Sequence, residues 1–179
     1  MRVFISGGVK NGKSSHAQNI AKKLSGGGPL YYVATMIPHD DEDYRRISRH
    51  IKEREGMGFE TIECPRDILK CLEKAKPEGV FLLDSTTALL SNEMFLEDGE
   101  INHDAADKIA KELVRFAESI GGFVAVSDAI YSDAAEYEAL TEEYRKGLAS
   151  IDRALAGCCD TVLEICCGTV FCHKGEFPI

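Results

Sequence analysis

Short apolar segments alternate along the chain with longer amphipathic ones. The apolar runs are RVFISG at residues 2–7, then LYYVAT, FETIEC, GVFLLD, GFVAVSD, TVLEIC and GTVFCHK. Helical spacing predicts helices from about Lys13, from about Asp41, in DILKCLEKA, in TTALLSNEMF, from about His103 to Ser119, and through Arg145 to Ala156. The last two apolar runs predict a hairpin around Gly168.

This alternation predicts an α/β fold, in which right-handed βα units build a mostly parallel sheet flanked by helices and closed by the C-terminal β-hairpin. Neither a repeat nor a long linker divides the 179 residues, so we expect one nucleotide-binding domain over 1–179. Ligands of such sheets bind at the carboxyl ends of the strands. We therefore expect catalytic and ligand-binding residues directly after the apolar runs.

The segment GGVKNGKS follows the first run and precedes a predicted helix. Its spacing is the phosphate-loop pattern G-x-x-x-x-G-K-[ST], in which backbone N–H groups and a helix N-terminus surround phosphate oxygens. The alternative is a glycine-rich turn that binds nothing, but the flanking strand and helix favour a nucleoside triphosphate. The candidate nucleotide-binding residues are Gly7, Gly8, Val9, Lys10, Asn11, Gly12, Lys13 and Ser14.

Lys13 would reach the β- and γ-phosphates and act in catalysis, while Ser14 would ligate Mg²⁺. Asp84 ends the run VFLLD, which is where phosphate-loop enzymes place the carboxylate that orders Mg²⁺ or its water shell. An Asp at a strand end also caps helices, and TTALL follows it. Beside a phosphate loop, we interpret Asp84 as a metal-binding residue together with Ser14.

A second candidate centre lies in RRISRHIKER, where Arg46, His50 and Arg54 are spaced by four residues and share one helical face. Two guanidinium groups beside an imidazole oppose its protonation and gather phosphate oxygens. A neutral histidine in that setting can attack phosphorus and hold a nucleotide covalently. From spacing alone, a solvated basic helix face explains the same pattern.

The composition is that of an ordinary globular protein, with 44% hydrophobic and 28% charged residues. A net charge of −9 argues against extensive electrostatic binding of nucleic acid. The sequence runs from Met1 directly into an apolar strand, and it contains no run of 18 or more apolar residues. We therefore expect a cytoplasmic protein without a membrane span.

Seven cysteines include the adjacent pairs Cys158-Cys159 and Cys166-Cys167. The odd number and the absence of C-x-x-C spacing argue against a disulfide framework or a zinc ribbon. Neighbouring residues on a strand point to opposite faces, so we expect that one pair does not easily chelate a metal. Most of the cysteines are expected to be small buried hydrophobes.

The combination of SGGVKNGKSSHA, YVAT, DDED, RISRH and HIKER resembles the bifunctional adenosylcobinamide kinase and adenosylcobinamide-phosphate guanylyltransferase family of cobalamin biosynthesis. TIEC and LLDSTTALLSN continue the likeness. The resemblance implies a RecA-like P-loop NTPase fold, usually as a homotrimer. It also implies that adenosylcobinamide is phosphorylated by ATP or GTP, and that GMP is then transferred from GTP through a guanylylated histidine.

By this resemblance His50 is the residue that takes GMP, and further nucleotide contacts come from Thr35, Arg54, Glu63 and Asp84. Two stretches depart from the family pattern. Where the family reads N-E-[VI]-G, this chain has Asp128 to Tyr131, and where the family reads N-Q, it has Asp152 and Arg153. A simple small-molecule P-loop kinase and a degenerate GTP-binding paralogue therefore remain as alternatives.

Overall fold

Strands and helices alternate in the computed structural model of the protein, which describes residues 1–178. The strands are Arg2–Gly7 (β1), Leu30–Ala34 (β2), Glu60–Glu63 (β3), Val80–Asp84 (β4), Gly122–Val126 (β5), Thr161–Cys166 (β6) and Thr169–Lys174 (β7). The α-helices are Lys13–Ser25 (α1), Asp41–Glu53 (α2), Thr86–Met94 (α3), Ala105–Ser119 (α4) and Ala139–Cys158 (α5). A 3₁₀ helix spans Ile68–Glu73.

The seven strands form one sheet in the order β3-β2-β4-β5-β1-β6-β7. Every neighbouring pair is parallel except β6 and β7, which form the antiparallel hairpin predicted around Gly168. The predicted α/β class, a mostly parallel sheet with a C-terminal hairpin, is confirmed. Strand β1 lies between β5 and β6, so the segment that follows it emerges at the centre of the sheet.

Both faces of the sheet are covered by apolar side chains. On one face, α1 buries Ala17, Ile20 and Ala21, which recur at helical spacing and pack against side chains of β1, β4 and β5. On the other face, α4 buries Ile109, Leu113 and Phe116 in a cluster shared with α3, α5 and the 3₁₀ helix. The central strands are buried on both sides, which explains their nearly continuous apolar runs.

Two predicted helices differ in detail. α4 begins at Ala105 rather than His103, and DILKCLEKA forms only the short 3₁₀ helix. α2 begins at Asp41 as predicted and is capped by the Asp40 carboxylate, which accepts a hydrogen bond of 2.9 Å from the Asp43 amide, yet it buries none of its residues. Among residues 1–178, no helix is both long and apolar enough to cross a membrane.

Candidate active site at the carboxyl edge of the sheet

The phosphate-loop segment connects β1 to α1, as its spacing predicts. Gly7 has φ of +153°, and a Cβ atom there would lie 2.3 Å from the carbonyl oxygen of Ile165 on β6. Gly12 takes a left-handed conformation with φ of +83° immediately before α1. These two backbone positions explain why the loop uses glycine at its ends: one permits close packing of β1 against β6, and the other starts the helix.

Lys13 is 5% exposed, and its ammonium group has two partners. Its Nζ donates to the Gly8 carbonyl oxygen at 2.6 Å and lies 2.7 Å from Asp128 Oδ1. The Lys13 amine is therefore held at the mouth of the loop by a carboxylate from the segment after β5. Asp128 was not among the predicted site residues, although its place after a strand is the same signal that identified Asp84.

A cleft of about 630 Å³ joins the phosphate loop to α2 and the end of β4. Its walls include loop residues from Val9 to Ser14, together with Asp84 and Asp128. Ser14 and Asp84, the two predicted metal-binding residues, line this same cleft. The charged side chains of α2 that line it are Glu42, Arg45, Arg46, Arg49, His50 and Glu53.

His50 projects from α2 into this cleft, and its side chain is 18% exposed. Its Nδ1 atom lies 3.2 Å from Glu53 Oε2, although the two are not aligned for a hydrogen bond. The predicted Arg46 neighbour lines the same cleft. Glu53, which lies one helical turn after His50, was not predicted as part of the site.

A second cavity of about 450 Å³ adjoins the first, and Arg46, His50, Asp84 and Ser85 line both. Arg54 and Glu63, both predicted from the family resemblance, line only this second cavity. Much of its remaining wall is apolar and comes from Tyr32, Ala34, Met36, Ile37, Pro38, Tyr44, Ile47 and Ile51. His50 therefore lies between a charged cleft and a more apolar cavity.

Tyr32 links Arg54 to Asp84. The Arg54 guanidinium lies 4.0 Å from the centre of the Tyr32 ring, and the Tyr32 hydroxyl donates to Asp84 Oδ2 at 2.8 Å. Burial, and then the Asp84 carboxylate, raises the pKa of Tyr32 far above its usual range, so the phenol stays protonated as the donor. This contact occupies one Asp84 oxygen and orients the carboxylate.

Thr35 is fully buried and lines neither cavity. Its hydroxyl donates to the Ser85 carbonyl oxygen at 2.9 Å and accepts from the Ser85 amide at 2.8 Å. The structure therefore separates the Thr35 side chain from the other predicted nucleotide-binding residues. Thr35 fixes the backbone directly after Asp84.

The segment after β5 is fastened by Arg145 of α5, which is 7% exposed. The guanidinium donates to the Ile130 carbonyl oxygen at 3.2 Å, pairs with Asp133 at 2.5 Å and also bonds Glu142. These contacts hold the chain that carries Asp128. The first departure from the family pattern, Asp128 to Tyr131, thus lies in a segment that contacts the phosphate loop through Asp128 and Lys13.

Solved structures share this fold at low sequence identity. One of them, an ATPase domain, is 11% identical with a TM-score of 0.51, covering 91% of this chain and 68% of that chain. The flagellar accessory protein FlaH from Methanocaldococcus jannaschii is 14% identical with a TM-score of 0.54, covering 99% and 79%. These likenesses concern the fold alone, and they agree with the predicted mostly parallel sheet flanked by helices.

Sequence relatives cover part of the chain. The bifunctional adenosylcobalamin biosynthesis protein CobU is 34% identical in Salmonella typhimurium and 29% identical in Escherichia coli, over 115 and 113 residues. Each match spans 63% of this chain and 60% of the relative's length. The family described as cobinamide kinase / cobinamide phosphate guanyltransferase matches residues 3–172. The chain therefore belongs to the cobinamide kinase / cobinamide phosphate guanyltransferase family.

Proposed function

We propose that this protein phosphorylates adenosylcobinamide and then transfers GMP from GTP to the new phosphate, in cobalamin biosynthesis. The observation that carries the proposal is the position of His50, which lines both the cleft of the phosphate loop and the adjoining cavity. A nucleophile in that wall can reach a triphosphate on one side and an acceptor on the other. Family membership and the two named relatives support the same activity.

In the kinase step, the phosphate loop holds ATP or GTP and Lys13 faces the transferring γ-phosphate. The substrate hydroxyl attacks the γ-phosphorus and releases its proton to a phosphate oxygen or to water. The bond to the β-phosphate oxygen breaks, and the nucleoside diphosphate leaves. Lys13 must exchange part of its contact with Asp128 for phosphate oxygens. Its charge then stabilises the negative charge that develops in the transition state.

The residues around the loop fit a magnesium ion. Ser14 and Asp84 supply hard oxygen donors in one cleft, and Asp84 Oδ1 is free of the Tyr32 contact that occupies Oδ2. Ser14 would hold the ion directly and Asp84 directly or through water. When bound, Mg²⁺ neutralises charge on the β- and γ-phosphates.

In the guanylyl step, a His50 nitrogen attacks the α-phosphorus of GTP and pyrophosphate leaves. Glu53 Oε2 lies 3.2 Å from Nδ1, and a small rotation that aligns the two would hold a proton on Nδ1 and leave the lone pair on Nε2 for the attack. A phosphate oxygen of adenosylcobinamide phosphate then attacks the same phosphorus, and the bond to His50 breaks. Arg46 and Arg49 line the cleft and would bind the phosphate oxygens.

A simple P-loop kinase and a degenerate GTP-binding paralogue make different predictions for His50. The kinase uses the phosphate loop alone and never carries a covalent nucleotide. The paralogue binds GTP without a corrinoid substrate, and the changes at Asp128 to Tyr131 and at Asp152 favour it over the kinase. Neither alternative accounts for a histidine in the wall that two cavities share.

Incubation with GTP labelled at the α-phosphate tests the proposal. The parent protein should retain a label that is lost in mild acid and survives base, since a phosphoramidate nitrogen leaves readily once it is protonated. His50→Ala should lose the label and keep adenosylcobinamide kinase activity, because the γ-phosphate passes directly to the substrate. The readouts are scintillation counting of the denatured protein and product analysis for the kinase.

Lys52→Ala is the matched control, because Lys52 is exposed on the same helix and lines neither of the two cavities. It should label like the parent. A label that persists in His50→Ala would contradict the assignment of the nucleophile. A parent that binds GTP and phosphorylates adenosylcobinamide without becoming labelled would leave the simple kinase as the function.

A further inference from the structure

The hairpin between β6 and β7 carries two adjacent exposed thiols. Cys166 is the last residue of β6, and the turn consists of Cys167 and Gly168. Both turn residues have positive φ, +50° at Cys167 and +77° at Gly168, as a two-residue type I′ hairpin requires. Asn, Asp or Gly usually occupies the position of Cys167. Cysteine at position 167 therefore departs from the residue preference of a type I′ turn.

The left-handed conformation of Cys167 brings its side chain to the same side as that of Cys166. Their Sγ atoms are 4.0 Å apart. The expectation that adjacent cysteines point to opposite faces is therefore wrong for this pair, because Cys167 lies in the turn rather than on the strand. The expectation rested on strand geometry, and the turn begins one residue earlier than that geometry assumes.

The distance between the Sγ atoms of Cys166 and Cys167 suits one metal or metalloid atom bound to both. Two sulfur atoms that each lie about 2.3 Å from a tetrahedral metal ion are about 3.8 Å apart, close to the distance observed. A disulfide would instead require sulfur atoms about 2.05 Å apart and Cα atoms at least about 4.4 Å apart, whereas consecutive Cα atoms are about 3.8 Å apart. Chelation therefore needs far less movement than oxidation.

The other pairs of neighbouring thiols are not open to solvent in this way. Cys64 and Cys71 contact each other but are both buried, and the partly exposed Cys158 contacts Cys159, which is buried. Cys172 is exposed on β7, but its thiol donates to the Lys174 and Gly175 carbonyl oxygens at the far end of the hairpin. In the described part of the chain, no three His, Cys, Asp or Glu side chains form a metal-binding group. The turn is thus a two-thiol site open to solvent.

We propose that Cys166 and Cys167 form a dithiol site that chelates a thiophilic centre, a soft metal ion or trivalent metalloid, through both sulfur atoms. With phenylarsine oxide as the probe, two S–H bonds break and two As–S bonds form. The oxide oxygen leaves with both protons as water, and arsenic remains trivalent. The reaction needs no oxidant or reductant, and it does not involve His50 or the phosphate loop.

Titration of the full chain with phenylarsine oxide tests the proposal, with bound arsenical followed by intact mass and free thiols by a colorimetric reagent. We expect one equivalent to bind and two thiols to disappear. Cys166→Ser and Cys167→Asn should each weaken binding by about 100-fold or more, since the second bond no longer forms within a ring. Asn suits the turn backbone at position 167, so this variant keeps the hairpin.

Cys172→Ser is the matched control, since it removes an exposed thiol from the same hairpin but leaves the pair intact. It should bind the arsenical like the parent. Unchanged affinity in Cys166→Ser or Cys167→Asn would overturn the proposal, as would binding that consumes only one thiol. Circular dichroism and thermal melting test whether each cysteine variant keeps the fold of the parent.

Discussion

The carboxyl group of Asp152 lies in the core, 3% exposed, where Ser127 and Tyr131 each donate a hydrogen bond of 2.8 Å to Oδ2. Its Oδ1 atom has no hydrogen-bond partner among the described residues. Burial raises the pKa of Asp152 to about 6 in spite of the two hydrogen bonds. The ionised form is thus costly here, and the family pattern has a neutral Asn at this position.

Because the pKa of Asp152 is raised in the folded chain, the free energy of unfolding depends on pH. The folded chain binds this proton more tightly than the unfolded chain, so the stabilisation from the protonated form is complete below the unfolded pKa of about 3.9 and is lost as pH rises through about 6. Asp152→Asn should therefore stabilise the protein by up to about 3 kcal/mol at pH 8, and by only about half as much at pH 5.

Urea denaturation at the two pH values measures this difference. Asp107→Asn, an exposed aspartate on α4, should show little pH-dependent change and serves as the control. If Asp152→Asn destabilises the chain equally at both pH values, the ionised carboxylate is not the origin of the cost.

Asp128 is expected to weaken triphosphate binding while it stabilises the free protein. Its carboxylate lies 2.7 Å from Lys13 Nζ inside the cleft that the phosphates would enter. Asp128→Asn removes one negative charge beside the ligand and frees Lys13, so the Kd for Mg-GTP should fall about tenfold. The free variant should melt at a lower temperature, because Lys13 loses its buried ionic partner.

Calorimetric titration measures the Kd of Asp128→Asn for Mg-GTP, and thermal melting measures the melting temperature of the free variant. Asp133→Asn, in the same segment but paired with Arg145, is the comparison variant. Weaker GTP binding in Asp128→Asn would show that the carboxylate contributes to the ligand site rather than competing with the ligand.

Helix α2 carries His50 but is the least anchored helix of the fold. It buries no residue, while its N-terminus is stabilised locally by the Asp40 cap and by acidic residues in its first turn. Helices with few buried apolar contacts open at low free-energy cost. We therefore expect that α2 amides exchange rapidly in the free chain and that Mg-GTP slows their exchange at least about tenfold, through its contacts with the α2 arginines.

Hydrogen exchange with mass spectrometry resolves this effect segment by segment. α4, which buries Ile109, Leu113 and Phe116, should exchange slowly with or without the nucleotide. Slow exchange of α2 in the free chain would contradict the expectation that the helix carrying His50 opens readily.

Local patterns predicted most elements because their causes are local. The run RVFISG, the start of α1 at Lys13 and the start of α2 at Asp41 agree with the structure. DILKCLEKA forms only a short 3₁₀ helix, although its spacing allows an α-helix. Its first residue, Asp67, is held by Glu93, which accepts from its amide, and by Lys108, which donates to its carboxylate. The amphipathic pattern does not contain these contacts with distant elements.

The site as a whole was only partly predictable. Its phosphate loop and the shared face of Arg46 and His50 follow from spacing along one segment. The pairing of Lys13 with Asp128 and the position of His50 between two cavities depend on the strand order, which places β5 beside β1. Strand order arises from packing between segments far apart in sequence, so no local pattern carries it.

The position of β1 in the sheet determines when this strand can pair with its neighbours during synthesis. Its sheet neighbours are β5 and β6, and Gly7 pairs with Ile165. At about 5–20 residues per second, a ribosome makes β6 roughly 8–30 s after β1. The loop that would bind the triphosphate is thus translated well before β6, the strand that supports its entrance. During that interval the nascent chain would depend on chaperones to shield Val3, Phe4 and Ile5.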